Sequence, residues 1–194
     1  MSLAPWRSPL SRALHLNRSQ PHSRYLQLAT VNKEGFPSNR TVVFRGFIED
    51  SDRLKIITDS RSDKIEDIKN QPWGEICWYF TKTREQFRLF GKLIVVTEDC
   101  LDRFLARSRQ ETWQNLSDSA RQQFTWFHPK QTRTEDKEAF TANQPSQEEP
   151  LDNFYLLLLE PQKVDHLELR GEPQTRSLYV REDFQNWSMR AVNP

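Results

Sequence analysis

Three short runs hold the residues that could do chemistry. RTVVFR places Arg40 and Arg45 at the two ends of an apolar stretch. TDSRSDK, from Thr58 to Lys64, gathers Arg61, Ser62 and Lys64. QFRLFG sets Gln86 and Arg88 two residues apart. A guanidinium fork matches a phosphate. A hydroxyl and a cation at a helix start meet an anion together with free N–H groups and the positive dipole end. A glutamine amide both donates and accepts, as the polar edge of a heteroaromatic ring requires. The runs together read as a phosphate clamp with an amide for a ring edge. Each also has a plainer explanation: exposed strand arginines, a capped helix start with solvated charges, a polar outer sheet face. Residues five apart on a regular strand point to opposite faces, so Arg40 and Arg45 share one ligand only across a strand end or a bulge.

Other chemistries find little support. The glycines (Gly35, Gly46, Gly74, Gly91, Gly171) are too dispersed to cradle a nucleotide, and no serine sits in a nucleophile elbow. His15, His22, His128 and His166 do not pair at metal-ligand spacing, so no metal site is expected. His166 alternates with Val164 and Glu168 and reads as a satisfied strand histidine. No general base or nucleophile is assigned. With 28 basic and 27 acidic residues, neither nucleic acid nor a membrane surface is an expected partner. Two distant cysteines, Cys77 and Cys100, make no disulfide framework, which points to a reducing cytoplasm. No secretory core opens the chain, and the longest apolar run, FYLLLL from Phe154 to Leu159, suits a buried strand, not a membrane span. Six Trp and twelve Phe imply a well-filled core or a substantial dimer interface.

The elements that must position these groups follow from periodicity. A helix is expected over 5–17 and strands over 24–31, 38–48 and 53–58, joined by polar turns as an antiparallel meander. A helix over 60–70 opens on a Ser60–Asp63 capping box and ends before Pro72. Strands follow over 73–80 and 85–96, the second with a bulge at Gly91, then helices over 99–109 and 117–127. Residues 128–150 are polar and read as a long loop or lid inserted in a single domain spanning 1–194. Strands over 151–160, 164–169 and 176–180 complete the chain. Trp187 with Arg190 is a terminal anchor or a stacked surface pair.

With the late run ELRGEPQTRSLYV added to the first three, the chain resembles the pyridoxamine 5′-phosphate oxidase superfamily, and more closely its related FMN-binding proteins, over most of its length. That resemblance implies a mainly β fold with peripheral helices: a split β-barrel of about six antiparallel strands. It implies a homodimer with FMN in two interface clefts. It assigns Arg40 to the family arginine of R-x-V-x-x-[KR], Val42 and Val43 to backbone contacts with the flavin, and Arg45 to the place where lysine is usual. Thr58 closes the next strand, Ser62 and Lys64 match a Ser-Arg-Lys phosphate site, Gln86 lies near the ring and Arg176 approaches the cofactor late in the chain. Asp63 replaces the arginine of that phosphate site, with Arg61 as a substitute base. Glu172 and Gln174 stand where the oxidase has an Arg-x-His pair for its substrate, and Arg107 matches its substrate-phosphate arginine. The expected function is an FMN-dependent oxidoreductase acting on a small molecule. Oxidation of pyridoxine or pyridoxamine 5′-phosphate, a non-enzymatic flavin or haem carrier, and a dimeric protein without cofactor stay open beside it.

Overall fold

The computed structural model describes residues 3–135, 138–141, 144–183 and 186–194. Among these lie eight strands and four α-helices. The strands are β1 (Tyr25–Val31), β2 (Pro37–Val43), β3 (Leu54–Asp59), β4 (Trp73–Phe80), β5 (Glu85–Val96), β6 (Phe154–Glu168), β7 (Thr175–Arg181) and β8 (Trp187–Val192). The helices are α1 (Arg7–Asn17), α2 (Asp63–Asn70), α3 (Arg103–Gln114) and α4 (Asp118–Gln122). All pairings are antiparallel, in the order β2-β1-β4-β5-β6-β7-β8. β6 is the hub. One edge lies along β5, while the other pairs with β3 from Leu159 to Phe154 and with β7 from Lys163 to Glu168. The sheet curls without closing, which makes an open split β-barrel with helices at its periphery. No helix of the described residues is long and apolar enough to cross a membrane.

Period-2 alternation explains the central strands. In β5, Glu85, Phe87, Leu89 and Leu93 are buried, while Arg88, Phe90 and Lys92 face outward. The inward residues meet Leu26 and Leu28 of β1, Ile76 and Trp78 of β4 and Val164 of β6 in one apolar core, which α1 covers with Leu10 and Ala13. Trp6, Trp78 and Trp113 are fully buried, so half of the six tryptophans fill the interior.

Several expectations need correction. The first three strands are not a simple meander. β2 leaves its ladder at Val43, and the chain then bonds to the start of β3 through Arg45 N–H to Lys55 C=O (2.9 Å) and a lone Phe47–Leu54 bridge. β3 itself joins β6, a pairing about a hundred residues away that periodicity does not reveal. The strands expected over 151–160 and 164–169 are one strand, because Pro161 lies at a bulge, where its missing N–H costs no ladder bond. The expected last strand has a further partner, β8, whose mostly exposed residues carry no alternation. Merging two expected strands and adding β8 keeps the total at eight, the number periodicity gives, where the family resemblance implies about six. The first helix of the middle region begins only after Asp102, whose carboxylate accepts the N–H groups of Phe104 (2.9 Å) and Leu105 (3.2 Å). α2 starts at Asp63 with Ser62 as its N-cap and no side-chain cap, so the Ser60–Asp63 capping box does not form.

The bulge expected at Gly91 is present, between Phe90 and Gly91. A Cβ at position 91 would lie 2.1 Å from the Glu160 carbonyl oxygen. Backbone must move to admit it. Gly91→Ala is therefore expected to destabilise the protein by about 1–3 kcal/mol, the usual cost of overpacking. Urea unfolding measures this; an unchanged midpoint would show that the bulge does not need its glycine.

Candidate functional site

At the open edge of the barrel lies a cleft of about 580 Å³, within the roughly 300–1,000 Å³ of small-molecule sites. Arg40 to Val43 of β2 form one wall with Arg45; Thr58 and Asp59 of β3, Ser62 and Lys64 form the floor; Gln123, Phe124, Trp126, Phe127 and Pro129 form the far wall. The strand end after Val43 removes the objection that Arg40 and Arg45 point apart, since the backbone changes partner from β1 to β3 between them. Every residue expected at the cofactor lines this cleft except Gln86 and Arg176.

Lys64 is the floor's central cation. Its ammonium donates to Thr58 Oγ1 (2.9 Å) and Ser62 Oγ (2.6 Å). Burial, reinforced by the positive charge of Arg40, lowers its pKa to about 8 from an ordinary 10.5. Asp63 turns away from the cleft and pairs with Lys130, which holds its carboxyl below the ordinary range. Arg40 is anchored from beneath: Nη1 donates to Thr30 Oγ1 (2.6 Å) and Nη2 pairs with Asp67 (3.3 Å), which also accepts the Thr30 hydroxyl (2.6 Å). Arg45 has no such anchor. Its Nε is buried without a hydrogen-bond partner, and burial, then the nearby Arg24, lower its pKa. Among the described residues no carboxylate forms an ion pair with Lys64 or Arg45. Asp59, Asp63 and Asp67 act on Lys64 only from beyond ion-pair distance, and two cations without a directly paired carboxylate in a half-desolvated cleft are suited to meet an anion.

Arg61 lines the cleft with its guanidinium already engaged. It grips Asp59 (2.9 and 2.6 Å) and donates to the carbonyls of Trp126 (2.9 Å) and Phe124 (3.3 Å). Burial alone would raise the Asp59 carboxyl, but Arg61 overcomes it and holds that carboxyl below its usual range. Asn153 bonds both Asp59 (3.0 Å) and the Phe124 carbonyl (2.8 Å). These partners carried no sequence signal, because two of them are backbone carbonyls some sixty residues away.

Gln86 and Arg176 lie elsewhere, on the outward face of the sheet. Tyr79, Gln86, Leu167 and Arg176 stand in one cross-strand row. Arg176 holds Asp165 in a bidentate pair (2.9 and 2.6 Å). Arg88 is bound to Glu75 (2.7 Å) on the same face, and Cys77 also points outward between them. Tyr25, Trp73, Tyr79 and Phe90 are exposed there. Arg107 is 79 % exposed on α3 and pairs with Glu111 (2.7 Å), outside the cleft. Glu172 is exposed before β7. His166 is satisfied as expected, 2.9 Å from Glu85 and stacked on Phe87. Its neighbours Glu85 and Glu168 are bridged by Arg12 (3.3 and 3.2 Å). Trp187 meets Trp6 edge-on at 5.9 Å. Of the polar segment 128–150, residues 136–137 and 142–143 fall outside the described residues. The described remainder is tied down in part, with Trp113 Nε1 donating to Ser146 C=O (2.9 Å) and Gln147 to Gln114 C=O (3.0 Å).

Comparison with known proteins matches this geometry to a family. The model of the pyridoxamine 5′-phosphate oxidase FMN-binding domain matches residues 3–97, the stretch that holds all of β1 to β5 and most of the cleft. The chain is 39 % identical to pyridoxine/pyridoxamine 5′-phosphate oxidase 2 of Arabidopsis thaliana, over 99 % of this chain and 98 % of that protein. A crystal structure of a pyridoxamine 5′-phosphate oxidase-related, FMN-binding protein from Nostoc punctiforme superposes with a TM-score of 0.97 at 55 % identity, covering all of both chains. PhzG from Burkholderia lata shares the fold, with a TM-score of 0.77 at 21 % identity over 96 % of this chain and 91 % of that one. A cleft with an unpaired cation pair and a full-length likeness at this level lead to one assignment: the chain belongs to the pyridoxamine 5′-phosphate oxidase family of FMN-binding split barrels.

Proposed function

We propose that the cleft holds FMN with its phosphate on Ser62, Lys64 and Thr58 and its ring against the Val42–Val43 backbone, and that the holoprotein is an oxidoreductase for a small molecule. The observation that carries this reading is Lys64: a partly buried ammonium held by two hydroxyls, with no carboxylate in an ion pair with it. Arg40 adds positive charge beside it, and the orphaned Nε of Arg45 offers a donor to a second acceptor on cofactor or substrate. Bound FMN would supply two-electron transfer; the chain's own part is to bind, orient and neutralise charge.

Gln86 and Arg176 enter through a second copy. Their row on the outward face, among exposed aromatic rings, supports a homodimer in which each cleft is lined by β2, β3 and α2 of one protomer and capped by Gln86 and Arg176 of its partner. The unpaired thiols Cys77 and Cys100 support a cytoplasmic setting. Oxidation of pyridoxine or pyridoxamine 5′-phosphate is the second reading, favoured by the full-length likeness to the Arabidopsis protein of that name. Arg107, which would receive the substrate phosphate, is instead paired with Glu111, and Glu172 brings a negative charge near β7. A substrate other than the vitamin phosphate fits these residues better.

Titrating apoprotein with FMN and with riboflavin tests the phosphate seat. FMN is expected to bind about ten- to a hundred-fold tighter, from charge-assisted hydrogen bonds worth roughly 1.5–3 kcal/mol. Lys64→Met is expected to erase that preference. Because the Lys64 pKa of about 8 lies below its ordinary value, the free protein carries the cost of a partly buried charge at neutral pH and gains stability as pH rises above 8. The FMN preference should fall across the same range, while riboflavin affinity stays flat. Equal affinity for the two ligands in the wild type would refute the seat.

Mixing chains tests the shared site. Lys64→Met and Gln86→Leu homodimers should each bind FMN poorly, and a co-assembled hybrid should regain one intact site per dimer. A hybrid no better than its parents would place Gln86 at the site of its own protomer and refute the shared arrangement.

A further inference from the structure

Trp126 and Phe127 stand on the cleft's far wall, 38 % and 54 % exposed. Exposed rings on a loop are ordinary, but this loop is fixed from behind. Arg61 holds its carbonyls at 124 and 126, and Asn153 shares the first of these. The Trp126 indole N–H donates to Phe140 C=O at 3.0 Å, and the Phe140 ring meets both exposed rings edge-on, with centroids 5.9 and 5.8 Å apart. The polar groups of the segment are thus met on its outer side. Both rings line the cleft together with Val42 and Val43, and they also border a neighbouring pocket formed with Gln131 and Phe140. A rigid aromatic wall facing a strand edge is the arrangement that receives a planar ring, because offset or edge contacts need no further ordering of the side chains.

We infer that Trp126 and Phe127 pack against the flavin ring of bound FMN, and that Arg61 is the positioning residue that holds this wall in place. The inference rests on the FMN reading of the cleft. It also gives Arg61 a use that its engaged guanidinium permits, since every nitrogen of that group already bonds Asp59 or the wall.

Flavin fluorescence of the FMN-loaded full-length protein tests this without reference to any substrate. An indole in contact with the ring quenches its emission. Bound FMN should be dim in the wild type and several-fold brighter in Trp126→Leu and in Trp126→Phe, the second keeping a ring in place should the first fold poorly. FMN affinity of Trp126→Leu should fall about two- to tenfold, as expected for one aromatic contact of roughly 0.5–1.5 kcal/mol. Arg61→Met should brighten the flavin in the same direction while leaving the preference for FMN over riboflavin intact, which a role at the phosphate would abolish. Bound FMN that is equally dim in the wild type and both Trp126 variants would overturn the proposal and leave the cofactor assignment standing. Failure of the wild type to take up FMN would overturn both.

Discussion

β6 has to satisfy two neighbours along a single edge, and the site depends on how it does so. Its backbone groups bond β3 up to Leu159 and β7 from Lys163 onward, with β5 along the opposite edge. A buried strand cannot leave such groups unmet. The hand-over falls at the bulge where Gly91 faces Pro161, the one residue there with no N–H to place. Splitting the edge opens the barrel. It also fixes the end of β3, so that Thr58 and Asp59 sit opposite Tyr155 and Phe154 with Asn153 beside them. The floor of the cleft and the tether of its far wall both hang from that ladder.

Charge is then distributed unevenly. The acids near the cleft have partners of their own: Asp67 serves Arg40 and Thr30, Asp59 serves Arg61, and Asp63 serves Lys130. Lys64 and Arg45 are left with hydroxyls or with nothing. Folding alone gains nothing from this, because burial lowers the pKa of both. Partly desolvated cations of like sign are the kind of local cost that persists at binding sites and is relieved by an anion.

Much of this was legible in the sequence, and the failures have physical causes. Alternation located β1, β4 and β5, and the order of Arg40, Thr58, Ser62 and Lys64 pointed to one wall and the floor of the cleft. Local patterns do not report long-range partners, so the pairing of β3 with β6 and the separation of Gln86 and Arg176 from the cleft appear only in the fold. β8 has too few buried residues to show a period. Arg61 looked like a phosphate base because its real partners include carbonyls of 124 and 126, which leave no mark on residue type. Trp126 and Phe127 were absorbed into an expected helix over 117–127; α4 in fact ends at Gln122, and a short 3₁₀ turn over Gln123–Thr125 turns the chain toward the cleft.

The visible absorption spectrum of the protein as purified, with the released chromophore identified by mass, tests the cofactor assignment most directly. A yellow protein that releases FMN, near one per chain, is the predicted result. A colourless protein that takes up no FMN when it is supplied would contradict it.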